Sequence, residues 1–153
     1  MSTERTLLAI DLGLAAGLAC FRVDDLAKPR LQWFRSQQFG TITRLKRAIP
    51  RVLDECPHLA RVVVEGDRHL GELWQKAAEK RGAIVERVAP EVWREALMYA
   101  RDRRHGRDAK ARATELALEI IAEHGAKKPR TPLVDDVAEA ICIGAWATLP
   151  RGP

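Results

Sequence analysis

The sequence has little cysteine. Cys20, Cys56 and Cys142 are an odd number, far apart, with no Cys-x-x-Cys pair. That argues against a disulfide framework and a zinc-thiolate site, and it reads as reduced thiols in an intracellular protein. No apolar run is long enough to span a bilayer, so no membrane partner is expected. The stretch Met1 to Arg5 is polar, and the apolar run after it is broken by Asp11 before it could form the core of a secretion signal. Internal repeats, low-complexity tracts and linkers are also missing. These absences leave one compact domain, residues 1–153, with a cytoplasmic setting as the expectation.

What is present is an ordinary globular balance, 46% hydrophobic and 31% charged. The net charge of +5 and the pI near 9.4 suit a polyanionic partner without requiring one.

Hydrophobic patterning gives the order βββ-α-β-α-β-α-α-α. Leu7 to Ile10 is a short apolar run ending at Asp11 and reads as a buried strand. The stretch from Asp11 to Gly17 reads as a tight turn, Leu18 to Val23 as the strand returning from it, and Leu31 to Phe39 as a third strand. Thr41 to Glu55 has a helical pattern in which Pro50 marks a kink or boundary. Arg61 to Glu65 is β-branched, the strongest strand signal in the chain. Leu70, Leu73, Trp74 and Ala77 then share one helical face, and Gly82 stands where a helix stops. Ala83 to Val88 is the fifth strand, and Pro90 opens a short helix. A basic stretch, residues 101–112, precedes a helix whose buried side carries Ala113, Leu116, Ala117, Ile120 and Ile121. The last helix, about Val134 to Thr148, is apolar nearly all round after Glu139 and is expected inside the molecule. Strands joined by turns and then alternating with helices imply an α/β fold, a mixed five-stranded sheet with helices on both faces.

Asp11 and Glu65 each end an apolar strand, where ligands gather in α/β sheets. Asp136 and Glu139 lie three apart and so share one face of the last helix. Carboxylates converging in one cleft repel each other, and a hard divalent cation with oxygen ligands is the usual way to neutralise them. Each residue also has a plain reading: Asp11 as a turn former, Glu65 as a strand terminus, Asp135 or Asp136 as a helix-end charge. It is their joint occurrence, in this order and on these elements, that favours a site.

Leu8-Ala9-Ile10-Asp11-Leu12-Gly13 resembles the first-strand motif of the ribonuclease H-like superfamily, and Val62-Val63-Val64-Glu65 resembles its fourth-strand acid. Asp136-Val137-Ala138-Glu139-Ala140-Ile141 is similar to the C-terminal motif of RuvC-type Holliday junction resolvases. From Trp74 to Lys110 the order of helix, strand, Pro90-Glu91-Val92-Trp93 and basic segment is also similar. The chain looks closest to the compact phage or viral members, which places it in a bacterial or phage-infected host cytosol. The resemblance implies a ribonuclease H-like fold, two Mg2+ ions per active site with Mn2+ able to substitute, and paired nicks in four-way DNA junctions by a homodimer. It gives Asp11, Glu65, Asp136 and Glu139 the metal-ligand positions, with Asp135 the substitute if the register slips. It sets Lys110 near the scissile phosphate as a further catalytic residue. There are departures. The glycine spacing from Asp11 to Gly17 is one residue short of the commonest bacterial pattern, and Glu139 stands where Asp is more usual. Asp67, Arg68 and His69 occupy positions where bacterial members carry a base-contacting aromatic.

Six Lys or Arg face two Asp between Arg101 and Arg112. A solvated loop and helix start would explain them; beside a metal cleft they also suit phosphate contact, which positions DNA without reading its sequence. The expected DNA contacts are Arg68, His69, Arg103, Arg104, His105, Arg107, Lys110 and Arg112, with Lys127-Lys128-Pro129-Arg130 extending the stripe. Trp33, Trp93 and Trp146 read as core, and Trp74 as core or dimer interface. Three other functions share features of the sequence: a related nuclease cutting an RNA precursor or RNA–DNA hybrid, a non-catalytic nucleic-acid-binding module, and an actin-like nucleotide-binding unit. The last needs a second matching lobe for which the chain is too short.

Overall fold

The computed structural model describes residues 4–24 and 28–150; residues 1–3 of the polar start lie outside them. Five strands, β1 (Thr6–Asp11), β2 (Ala15–Arg22), β3 (Arg30–Gln38), β4 (Leu59–Glu65) and β5 (Ile84–Arg87), form one sheet in the order β3-β2-β1-β4-β5. The β1/β2 and β2/β3 pairs are antiparallel, and β1/β4 and β4/β5 are parallel. The helices are α1 (Ile42–Asp54), α2 (Arg68–Glu79), α3 (Pro90–Leu97), α4 (Gly106–Glu123) and α5 (Asp135–Ala147), with a 3-10 turn at Ala100–Arg103. The architecture is the mixed, doubly covered α/β sheet expected from the sequence.

Strand alternation sorts the core into two layers. Leu7, Ala9, Ala19, Phe21 and Val63 point to the face covered by α3, α4 and α5. Leu8, Ile10, Leu18, Val62 and Val64 point to the face covered by α1 and α2. The helix ends follow local chemistry. Thr41 caps α1 by accepting from the Arg44 N–H at 3.2 Å, and Asp67 caps α2 by accepting from the Leu70 N–H at 2.8 Å. Gly82, at φ +81°, supplies the left-handed residue just beyond α2. Pro90 occupies the start of α3, where its missing N–H costs nothing.

Helix α5 is the interior helix anticipated from its composition. Val137 to Gly144 are all buried, and Ile141 and Ile143 are fully so. Complete burial of each isoleucine contributes about 1.5–3 kcal/mol. Two glycines let this helix lie close on β2. A Cβ on Gly17 would stand 1.9 Å from the Asp136 carbonyl oxygen, and one on Gly144 would stand 2.1 Å from the Phe21 ring.

Three local expectations are corrected. The turn after β1 is shorter than the stretch from Asp11 to Gly17, because β2 begins at Ala15 and Gly17 pairs with Asp11 inside the sheet. Small residues carry no hydrophobic alternation, which hid the start of the strand. Pro50 is not a boundary, since α1 continues to Asp54. The basic segment is not a prelude to α4: from Gly106 onward it is α4. The three cysteines are free and buried.

Candidate functional site

Sheet register builds the site. Ser36 pairs with Gly17, Gly17 with Asp11, and Asp11 with Glu65, so one rung crosses β3, β2, β1 and β4. Asp11 and Glu65 both follow the alternation of Leu7, Ala9 and Val63 and therefore face α5 rather than α1 and α2. The parallel pairing of β1 with β4 sets both carboxylates at the same carboxyl edge. The first two turns of α5 lie over this rung because Gly17 has no side chain to hold them off.

Carboxylate oxygens of Asp11, Glu65 and Glu139 all lie within 4.8 Å of one another. Glu139 is only 9% exposed. Asp136, one helical turn earlier, stands outside this group of three. Its Oδ2 accepts from the Ser36 hydroxyl at 3.0 Å, and its Oδ1 is buried without a partner. Val134 caps α5 without a side-chain hydrogen bond, so neither Asp135 nor Asp136 caps the helix. Asp135 is exposed, whereas the charge of Asp136 reaches Asp11.

The electrostatics reflect crowding. Burial pushes the Asp11 carboxyl up to about 9, aided by a hydrogen bond with Glu139 and by the charges of Glu139, Glu65 and Asp136. Burial also raises Glu65, as does Glu139, while the Trp93 indole and Arg94 oppose the rise. Trp93 Nε1 nevertheless makes no hydrogen bond, and Glu65 Oε2 is likewise buried and unpartnered. An all-oxygen donor set of crowded carboxylates, with oxygens of Glu65 and Asp136 buried and unpartnered, suits a hard divalent cation such as Mg2+ or Mn2+. Asp11, Glu65 and Glu139 are placed to hold it, with Asp136 beside them.

Helix α3 contributes groups that the sequence reading did not single out. Arg94 Nη2 lies 3.2 Å from Glu139 Oε1, and Trp93, correctly read as core, turns its indole nitrogen towards Glu65. Ser36 was also missed. Its signal was the alternation of β3, which sets it on the α5 face with Phe34, but its partner lies 100 residues away in sequence. Trp74 is fully buried, while Trp33 and Trp146 are only partly so.

The basic residues fall into groups. Arg107 and Lys110 line an open groove of about 620 Å3 together with Asp135, the first residue of α5. Arg103, Arg104 and His105 are exposed just before α4. Arg68 and His69 open α2, three and four residues after β4 ends at Glu65 on the site rung; Arg68 pairs loosely with Glu72 at 3.6 Å. Arg112 is engaged by acids of its own helix, Glu115 at 2.9 Å and Glu119 at 3.5 Å. Lys127, Lys128 and Arg130 are exposed.

This sheet order, with paired acids at its edge and an interior C-terminal helix returning over them, is a fold shared with solved structures. Three of them measure the likeness in fold. Fowlpox virus resolvase, determined with its substrate Holliday junction DNA, superposes with a TM-score of 0.73 at 14% identity, covering 94% of this chain and 96% of that one. Thermus thermophilus RuvC gives 0.63 at 22% identity and 92% coverage of both chains. The yeast mitochondrial Holliday junction resolvase gives 0.60 at 12% identity, covering 92% of this chain and 77% of its own. No family model and no curated protein matches the chain by sequence.

Proposed function

We propose that this chain, as one nuclease domain, is a metal-dependent endonuclease that resolves four-way DNA junctions by paired nicks. The observation that carries the reading is the group of three carboxylates within 4.8 Å at the shared edge of β1 and β4. Its fold is the one found in resolvases determined with junction DNA.

Asp11, Glu65, Asp136 and Glu139 would hold two Mg2+ ions, with Mn2+ able to replace them. Bound there, the ions would supply the positive charge that phosphodiester hydrolysis needs at its attacking and departing oxygens. The chain's own residues position these groups. The β1/β4 register aligns Asp11 with Glu65, Ser36 orients Asp136, and α5 presses Glu139 into a space nearly closed to water. Lys110, in the groove that Asp135 also lines, would face the scissile phosphate. Arg68, His69, Arg103, Arg104, His105, Arg107 and Arg112 would hold the backbone of the arms, Arg112 only after leaving Glu115 and Glu119. Paired nicks need two active sites, so we assign a homodimer acting in the cytosol of a bacterium or of a phage-infected host.

A cleavage panel tests the reading. The chain with Mg2+ is offered a four-way junction, linear duplex, RNA–DNA hybrid and structured RNA. Symmetrical nicking of the junction is expected, lost in Asp11→Asn. Cutting of hybrid or RNA with the junction left intact would replace the proposed substrate, and full activity in Asp11→Asn would remove the mechanism.

A further inference from the structure

Arg94 places a positive charge inside the acid cluster. Its Nη2 meets Glu139 Oε1 at 3.2 Å, and the two side chains are 24% and 12% exposed. The same charge favours the ionised form of Glu65. A carboxylate this enclosed needs a cation beside it, because burial without one costs several kcal/mol. Two cations answer that need here: a divalent ion held by Asp11, Glu65 and Glu139, or Arg94. Both claim Glu139.

The Arg94 contact is poorly made for a permanent support. One nitrogen meets one oxygen, where a firm arginine–carboxylate pair is a two-pronged fork. Arg94 Nε is buried with no acceptor at all. The guanidinium carbon lies 5.3 Å from the centre of the Trp93 ring, a second attractive surface that remains when Glu139 is given up.

We propose that Arg94 is a displaceable internal counterion: it neutralises Glu139 in the metal-free protein and yields that carboxylate when a divalent ion enters. The proposal rests on the reading of the acid cluster as a divalent-metal centre. Arg94 then sets a threshold for metal uptake. The cluster stays folded without an ion, and it fills only when the ion outcompetes the guanidinium.

The direction of one measurement separates this role from a merely structural one. Calorimetric titration with Mn2+ is expected to show Arg94→Met binding the ion about tenfold more tightly than the unaltered chain, because the competing pair is gone. Arg94→Lys, which keeps the charge, should stay near the unaltered affinity. Without metal, Arg94→Met should melt below the unaltered protein, and saturating Mg2+ should close the gap. A support that persists in the loaded site gives the opposite pattern: weaker Mn2+ binding in Arg94→Met and a melting gap that metal leaves open. Either result overturns the proposal. Should Arg94→Met fail to fold, the unaltered protein still decides. Its Arg94 Nε–H nuclear resonance, assigned by its loss in Arg94→Lys, should shift on adding Mg2+, and a signal that stays in place overturns the inference. If the unaltered chain takes up no divalent ion, the metal-centre reading falls and this inference with it. If it does take up the ion and Arg94→Met binds no more tightly, only the inference falls.

Discussion

At the scale of single residues, the protonation of His124 acts on the fold. His124 Nδ1 accepts the Leu31 N–H at 2.8 Å, and its ring meets Phe21 edge-on. Burial lowers its pKa below the usual 6.5, with Arg30 adding to the fall and Glu123 opposing it. The neutral ring is therefore the folded form, and only neutral Nδ1 can accept the bond. Its contribution is complete above pH 6.5 and is lost as pH falls through the lower, folded value. Thermal melts from pH 8 to pH 5 should show a loss of stability that His124→Asn, whose amide oxygen can accept the same N–H, largely removes. An identical pH profile in the variant would clear His124 of the role. Legibility at this scale was uneven. Asp11 and Glu65 could be read because each closes an apolar strand. Ser36 and Arg94 could not, since their partners lie 100 and 45 residues away and nothing local marks either one.

At the scale of elements, the fit between α5 and β2 decides whether the acids meet. Gly17→Ala would drive a methyl into the backbone at Asp136, and Gly144→Ala would drive one into the Phe21 ring. Overpacking of this kind costs about 1–3 kcal/mol, roughly 2–10 °C of melting temperature in a chain of this size. Both variants should melt lower. Gly17→Ala should also weaken Mn2+ binding, because it lifts the turns that carry Asp136 and Glu139, whereas Gly144→Ala acts towards the far end of the helix. Equal loss of metal affinity in the two would argue against this division. Most elements were visible in the sequence where side chains alternate or recur, as in Val62-Val63-Val64 or the face bearing Leu70 and Trp74. They were obscured where residues are small or uniformly charged. Ala15-Ala16-Gly17 hid the first turn of β2, and the arginines before Ala113 hid the first turns of α4.

At the scale of the whole molecule, charge and topology act together. The net charge of +5 is not spread evenly: exposed Arg104 and groove-lining Arg107 and Lys110 fall together in the basic segment at and before the start of α4. If both arginines contact phosphate, Arg104→Ala with Arg107→Ala should reduce the slope of log affinity against log salt by about 2, measured on a four-way junction. An unchanged slope would exclude them from the backbone contacts. The order of five strands and five helices, and the mixed sheet, followed from hydrophobic period alone. The side of the sheet on which the site opens did not, because it depends on register between strands far apart in the chain.

The rung formed by Ser36, Gly17, Asp11 and Glu65 has a consequence for how the protein comes into being. Its acids are contributed by the first strand, the middle of the chain and the last helix, so no contiguous fragment contains the centre. Contacts of such long sequence separation form late in folding. During synthesis, Asp136 and Glu139 leave the ribosome well after Asp11 and Glu65. A nascent chain therefore presents its basic segment, residues 101–112, before its group of three carboxylates can assemble. Whatever the carboxylates do therefore waits on completion of the fold itself.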